Sequence, residues 1–312
     1  MYIGIDLGGT NIAAGLVTEE GKILAQTSTP TLSERPIEEI VADMARVSKE
    51  VVQKAGYTIK DVKAVGIGSP GSIDNKNGIV VYANNLKISH VPLVEMLQKH
   101  IDLPMNLEND ANAAAFGEYI QSGHGCESFV CVTLGTGVGG GIVLNGHIYR
   151  GFNGAGGELG HMTLVHDGEP CTCGKKGCWE AYASVTALIR QTKAAMEKHP
   201  DSLMNKIARE AGKVSGRTAF EAAKAGDPAG QAVVDQYLRY VADGITGVVN
   251  IFQPNLIVIG GGISREGDYL LGPIRKFVEE NTYCQDIPNT QIEIAQLFNE
   301  AGIIGAALAA RK

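Results

Sequence analysis

Apolar residues come in short unbroken blocks at the start of the chain. Tyr2 to Leu7 is one block, Ile12 to Val17 a second, and Lys22 to Gln26 resumes after the turn Glu19-Glu20-Gly21. No helix-length segment separates them, so the pattern predicts a β-meander rather than a strand–helix–strand unit. The period then changes. Ile37, Ile40, Val41, Met44, Val47, Val51 and Val52 fall on one helical face, with Pro36 suited to the first turn. Val62 to Gly68 reads as a buried strand, Leu93 to His100 as a short helix and Met105 to Leu107 as a strand. An Ala-rich helix is expected from there to about residue 121.

The next stretch echoes the first. Phe129 to Leu134 is apolar, Gly135-Thr136-Gly137 turns the chain, Gly140 to Leu144 resumes as strand, and Asn145-Gly146 signals a hairpin. Asp6-Leu7-Gly8 and Thr133-Leu134-Gly135 hold matching places, which reads as an internal duplication of two half-domains; coincidence is the alternative, because strand–glycine–strand is common. The C-terminal half is more helical. Helices are expected over Glu180 to Lys198 and from Asp227-Pro228 to about Phe252, with Asp as cap and Pro in the first turn. A strand, Leu256 to Ile259, ends in Gly260-Gly261-Gly262. A helix, a strand (Ile292 to Leu297) and a last Ala-rich helix (Ala301 to Ala310) close the chain. Absence of any Pro-, Ser- or Gly-rich linker predicts domains packed around a cleft.

Composition narrows the function classes. With 312 residues, 44% hydrophobic and 20% charged, the chain has the make-up of an ordinary globular protein of about two domains. A net charge of −7 leaves no basic surplus to coat a phosphate backbone, so nucleic acid is not an expected partner. No apolar run is long enough to span a membrane. The start, Met-Tyr-Ile-Gly-Ile-Asp, lacks a basic, long-apolar secretory signal, so a cytoplasmic setting is expected. Three of the six cysteines, Cys171, Cys173 and Cys178, are clustered, and in that setting clustering points to metal rather than to disulfides.

Five segments carry candidate chemistry. In Asp6-Leu7-Gly8-Gly9-Thr10, a glycine hairpin exposes N–H groups that can cradle phosphate oxygens, Thr10 adds a hydroxyl, and Asp6 could hold Mg²⁺ directly or through water. An ordinary capped turn is the alternative. Gly135, Gly137 and Gly140 formally spell a dinucleotide-binding fingerprint, but that motif must open a helix, and here a strand follows. A second phosphate hairpin at Gly135-Thr136-Gly137 fits better. In Glu108-Asn109-Asp110, a strand meets a helix N-terminus, whose partial positive charge favours a carboxylate able to take a proton from a substrate hydroxyl. Asn109 offers a sugar both donor and acceptor; plain N-capping is the alternative for the pair.

The fourth segment is the most specific. Glu158-Leu-Gly-His161 is followed by Cys171-Thr-Cys173-Gly-Lys-Lys-Gly-Cys178-Trp-Glu180. One imidazole and three thiolates would complete a closed tetrahedral Zn²⁺ site, structural rather than catalytic, although Cys-x-Cys is tighter than the commonest zinc spacing; three buried thiols and an unrelated His are the alternative. Around it, Glu158, His161 and Glu180 form a rigid clamp for sugar hydroxyls, the second ring nitrogen of a metal-bound His being free to hold a partner. Fifth, Gly260-Gly261-Gly262 could admit an adenine ring or ribose, or could be a bare strand–helix turn.

These motifs, IGIDLGGT, GSPGSID, ENDANAAA, LGTGVGGG, GAGGELGH and CTCGKKGCWE in order, resemble the ROK family of sugar kinases and sugar-responsive repressors, and within it the glucokinases of Gram-positive bacteria. The resemblance implies an actin-like, hexokinase-type ATPase fold with two duplicated α/β domains. On that reading residues 1–110 form a small domain onto which the final helix, 300–312, packs back, and 111–299 form a large domain with the zinc site. It implies ATP with Mg²⁺ as phosphoryl donor, a hexose acceptor with glucose first, and Asp110 as base. Gly71, Asn109, Glu158, His161 and Glu180 would contact the sugar, and His161, Cys171, Cys173 and Cys178 the zinc. Gly8, Gly9, Thr10, Thr136 and Gly137 would face phosphates, with Gly261 and Gly262 near adenosine. The sugar contact of Gly71 and the adenosine side of Gly261 come from the resemblance alone, as does a homodimer. Family repressors carry an additional N-terminal DNA-binding segment. This chain opens on a strand, so a kinase is expected. A kinase for another hexose, a non-catalytic sugar sensor and a filament-forming ATPase are the alternatives.

Overall fold

Strands β1 (Tyr2–Leu7), β2 (Asn11–Val17) and β3 (Ile23–Pro30) form the expected antiparallel meander, followed by helix α1 (Ile37–Lys54). Then come β4 (Ala64–Ser69), a small three-stranded sheet of β5 (Ser72–Asp74), β6 (Ile79–Ala83) and β7 (Ile88–Val91), and α2 (Leu93–Gln98). β8 (Met105–Asn109) leads straight into α3 (Asp110–Ser122). The second series is β9 (Ser128–Leu134), β10 (Val138–Leu144) and β11 (His147–Ile148). Helices α4 (Glu180–Ala183), α5 (Val185–Lys198), α6 (Leu203–Glu210), α7 (Thr218–Lys224) and α8 (Pro228–Phe252) follow. Last are β12 (Leu256–Gly260), α9 (Asp268–Asn281), β13 (Gln291–Ile294) and α10 (Ala301–Ala309). This computed structural model describes residues 1–123 and 125–311. His124, in the expected large domain, and Lys312, the end of the expected 300–312 segment, lie outside the described residues.

The two five-stranded sheets have the same order, β3-β2-β1-β4-β8 and β11-β10-β9-β12-β13, so each strand of the first series has a counterpart in the second. β1, β4 and β8 run parallel, as do β12 and β13, while each hairpin is antiparallel to its neighbour. The chain divides into two compact units, Met1–Cys131 with Gly141–Gly157 and Gln296–Lys312, and Val132–Gly140 with Glu158–Ala295. The expected boundary at 110/111 falls inside the first unit, because α3 packs along α10 there.

In the first unit one face of the sheet, with Ile3, Ile5 and Leu7, packs under α1. The alternate residues of β1, with Val17 and Ala64, meet α10 through Ile303, Ile304 and Leu308. α10 needs bare backbone on two sides: a Cβ on Gly66 of β4 would lie 1.7 Å from the Ala306 carbonyl oxygen, and one on Gly305 of α10 would lie 1.6 Å from that of Ala113 in α3. Glu118, 1% exposed, accepts from the N–H groups of Gln296 and Leu297 at 2.9 and 2.8 Å and fixes the approach to α10. In the second unit Trp179 is fully buried, donates to the Tyr240 carbonyl at 2.8 Å and lies flat against Gly244 of α8. It anchors the cysteine segment that precedes it.

Several expectations shift. The segment 180–198 is two helices, not one, because Ser184 adopts extended backbone and caps α5 by accepting from Ala187 N–H at 3.0 Å. β13 stops at Ile294 rather than Leu297, and Phe298 takes a left-handed conformation soon after. The small sheet β5–β7 and helices α6 and α7 have no counterpart in the sequence-based expectation. Among the described residues no helix is long and apolar enough to cross a membrane.

Candidate active site

In the first unit, Asp6 sits near the end of β1, beside Gly68 of parallel β4. Burial, and then repulsion from Asp110, push its carboxyl up to about 6. Gly302 in the first turn of α10 lies against it, since a Cβ there would be 2.9 Å from Asp6 Oδ2. Gly8-Gly9-Thr10 forms the tip between β1 and β2. Gly8 N–H donates to the Asn11 carbonyl at 2.9 Å, closing the turn. Thr31, just beyond β3, holds the tip from behind: its hydroxyl donates to the Gly8 carbonyl at 2.6 Å and its N–H to the Thr10 carbonyl at 2.8 Å.

The β8–α3 junction settles which residue caps. Asn109 is the cap, its Oδ1 accepting from Ala111 and Asn112 N–H at 2.9 and 3.1 Å, and Asp110 is the first residue of the helix. The Asp110 carboxylate accepts from the adjacent Ala111 N–H at 2.8 Å. Burial raises its pKa, and hydrogen bonds from Ala111 N–H and from its own backbone oppose that rise. Asn109 Nδ2 donates to the Gly71 carbonyl at 3.1 Å, which spends one of its two hydrogens and leaves the other as what it can offer a ligand. Gly71 has φ +93°, and a Cβ there would strike the Tyr82 carbonyl at 2.0 Å, so glycine is required by the turn. Glu108, 2% exposed, supports the junction. Its Oε1 accepts from Asn109 N–H and Asn112 Nδ2 at 3.0 and 3.1 Å, and its Oε2 from Arg150 Nε at 2.6 Å. The local sequence pattern assigns no part to Glu108, Thr31 or Arg150. Thr31 and Arg150 reach partners too far along the chain for a local motif to reveal.

In the second unit, Gly135-Thr136-Gly137 forms the tip between β9 and β10, with Gly135 N–H donating to the Gly137 carbonyl at 3.0 Å. At the end of β12, Gly261 has φ +91° and lies against the Leu134 carbonyl, which a Cβ would meet at 2.1 Å. Its bare backbone is thus accounted for by β9, whereas Gly262 borders open space.

His161, Cys171, Cys173 and Cys178 converge, with their donor atoms all within 4.8 Å of one another. Cys173 and Cys178 Sγ are 3.6 Å apart, and Cys171 Sγ is 3.7 Å from His161 Nδ1. Zinc–sulfur bonds of about 2.3 Å in a tetrahedron set ligand–ligand edges of roughly 3.8 Å, so the spacing fits a zinc ion. Burial, and then the neighbouring Cys173, push the Cys178 thiol up to about 12, and a cation is what would hold three sulfurs there as thiolates. The tight Cys-x-Cys spacing is accommodated by a turn in which Gly174 N–H donates to the Cys171 carbonyl at 3.0 Å, with Gly174 at φ +87°. Since Nδ1 of His161 faces the sulfurs, Nε2 is the nitrogen turned to other partners. Glu158 is exposed one turn before it. Glu180, the first residue of α4, is engaged at both oxygens: Oε2 accepts from Val138 N–H and Oε1 from the Thr172 hydroxyl, each at 3.0 Å.

The glucokinase of Thermotoga maritima is 40% identical over 309 residues, covering 98% of this chain and 95% of that protein. The crystal structure of a ROK family glucokinase from Streptomyces griseus, in complex with glucose and AMPPNP, superposes with a TM-score of 0.82 at 38% identity, covering 98% of this chain and 97% of that one. The ROK hexokinase of Thermus thermophilus gives a TM-score of 0.82 at 35% identity, covering 99% and 97%. The fold is the actin-like, hexokinase-type ATPase fold of these enzymes. The ROK family profile matches residues 2–312, and the chain belongs to the ROK family.

Proposed function

We propose that the chain is an ATP-dependent glucose kinase that transfers the γ-phosphoryl group to the sugar 6-hydroxyl in line. The kinship with glucokinases over nearly the whole length supports the reaction class. One local observation carries the choice of base. Asp110 opens α3 while Asn109 does the capping, so its carboxylate is free to accept a proton. In the reaction the O6 proton passes to Asp110, the bond from O6 to the γ-phosphorus forms, and the bond from that phosphorus to the leaving oxygen of ADP breaks. Positioning and charge neutralisation supply most of the acceleration.

The remaining parts follow from chemistry. Gly8, Gly9 and Thr10, with Gly135, Thr136 and Gly137, form the two phosphate tips: the N–H groups of Gly8 and Gly135 close the turns, those of Gly9, Thr10, Thr136 and Gly137 with the two Thr hydroxyls face the phosphates, and Gly262 offers open backbone to the adenosine beside Gly261. Asp6, a carboxylate next to the first tip, suits the hard-oxygen donor set of Mg²⁺, which when bound neutralises phosphate charge. Gly71, Asn109, Glu158, His161 Nε2 and Glu180 hold sugar hydroxyls, Glu180 through the lone pairs that its bonds from Val138 N–H and Thr172 leave over. His161, Cys171, Cys173 and Cys178 would hold a structural Zn²⁺ that keeps the clamp rigid.

The test is ADP release from Mg-ATP with glucose, mannose, fructose, N-acetylglucosamine and N-acetylmannosamine. Turnover strongest with glucose is expected. Turnover strongest with another sugar would keep the mechanism and change the substrate, and no sugar-dependent turnover would overturn the reading.

A further inference from the structure

The tip at Gly135-Thr136-Gly137 is held by a segment that begins where the cysteine knuckle ends. Three bonds come from consecutive parts of that segment. Glu180 Oε2 accepts from Val138 N–H at 3.0 Å, Val185 N–H donates to the Gly135 carbonyl at 2.8 Å, and the Thr186 hydroxyl donates to the Thr136 carbonyl at 2.8 Å. The fit is close: a Cβ on Gly137 would lie 2.2 Å from Glu180 Oε2. The other oxygen of the same carboxylate takes the Thr172 hydroxyl, and Thr172 stands between two of the metal-site cysteines. One rigid side chain therefore ties the knuckle to the tip. Trp179, buried between Cys178 and Glu180 in the chain, anchors the backbone at that point to α8.

We propose that residues 180–186 are a positioning clamp on the second phosphate tip, so that the metal knuckle sets nucleotide affinity as well as sugar affinity. The inference rests on the reading of this tip as a phosphate cradle. A backbone cradle binds well only if its N–H groups are already aimed, because ordering a loop on binding subtracts from affinity. Carbonyls of Gly135 and Thr136 that are tied back by Val185 and Thr186 fix the peptide planes whose N–H groups face the other way. Thr186 is the informative residue. It is exposed, and it acts through Thr136 rather than on a ligand.

The experiment is calorimetric titration of Mg-AMPPNP, without sugar, into the zinc-loaded wild type, Thr186→Val, Thr186→Ser and chelator-stripped protein. Thr186→Val keeps the shape and loses the donor. One lost hydrogen bond corresponds to roughly three- to tenfold weaker binding. Thr186→Ser should bind as the wild type does, a rescue that a merely structural role would not require. The KM for glucose in Thr186→Val should stay unchanged, while zinc removal should weaken both AMPPNP and glucose. Unchanged AMPPNP affinity in Thr186→Val, or in stripped protein that remains folded by circular dichroism, overturns the proposal. If stripping unfolds the protein, Thr186→Val alone decides. Wild-type AMPPNP binding and sugar-dependent turnover are read in the same series, so failure of the kinase reading shows separately from failure of the clamp.

Discussion

The two glycine tips are built on the same strand order and are held in different ways. The first, Gly8-Gly9-Thr10, is braced by Thr31, the residue that follows β3, a local device within one meander. The second, Gly135-Thr136-Gly137, is braced by residues 180–186, which arrive by way of the knuckle. The strand–helix junctions diverge too. β8 runs directly into α3 and places Asp110 at the helix start, whereas residues 295–300 intervene between β13 and α10. Duplication supplied two equal scaffolds. One carries the buried carboxylates Asp6 and Asp110, and the other the clustered His161, Cys171, Cys173 and Cys178 and the exposed Glu158.

The sharpest way to break this division is Asp110→Asn. The substitution keeps shape and removes the base, and turnover should fall about 10²–10⁴-fold with glucose binding largely kept. Wild-type turnover would place the base elsewhere. The same residue sets a pH dependence. Burial raises its pKa, so the acid limb of kcat should lie above the usual carboxylate range, and activity should grow as pH rises through it. Stability should run the other way. The folded state binds this proton more tightly than the unfolded chain, so between the ordinary and the raised pKa stability falls as pH rises. Asp110→Asn should accordingly melt at a higher temperature than wild type at neutral pH. A lower melting temperature would contradict the assignment of burial as the cause.

Next in size is the metal. Cys173→Ser removes one of four donors and should lower zinc content well below one per chain, together with glucose affinity. Elemental analysis beside glucose titration reads both. Full zinc occupancy in the wild type with no effect on glucose would separate the knuckle from the sugar site.

Much of this was legible in the sequence because it depends on local spacing. The meander followed from apolar blocks too close together for a helix, and α1 from its 3.6-residue period. The cluster of His161, Cys171, Cys173 and Cys178 was legible because a turn brings Cys171 and Cys173 together and Gly174 permits it. What could not be read was contact across long sequence separations. Arg150 on Glu108, Thr31 on Gly8 and Glu180 on Val138 each join residues more than 20 positions apart, where no pattern exists to follow. The break at Ser184 was a competition that sequence alone leaves open: Glu-Ala-Tyr-Ala-Ser-Val continues a helical run, but a Ser hydroxyl can cap the next helix instead. Asn109 and Asp110 posed the reverse problem. Either can cap, and only the structure shows that Asn109 does.

Smallest in effect is Thr31→Val, which sharpens the contrast between the tips. Thr31 is fully buried, and its hydroxyl donates to the Gly8 carbonyl. Replacing the hydroxyl with a methyl leaves that carbonyl without this donor and should cost about 1 kcal/mol of stability, read by denaturant unfolding. Its N–H bond to the Thr10 carbonyl survives the substitution, because it belongs to the backbone. The first tip therefore keeps half of its brace, and the KM for ATP should move less than it does in Thr186→Val. An equal or larger shift in KM would mean that the two tips are held alike and that the knuckle confers nothing on the second beyond what Thr31 confers on the first.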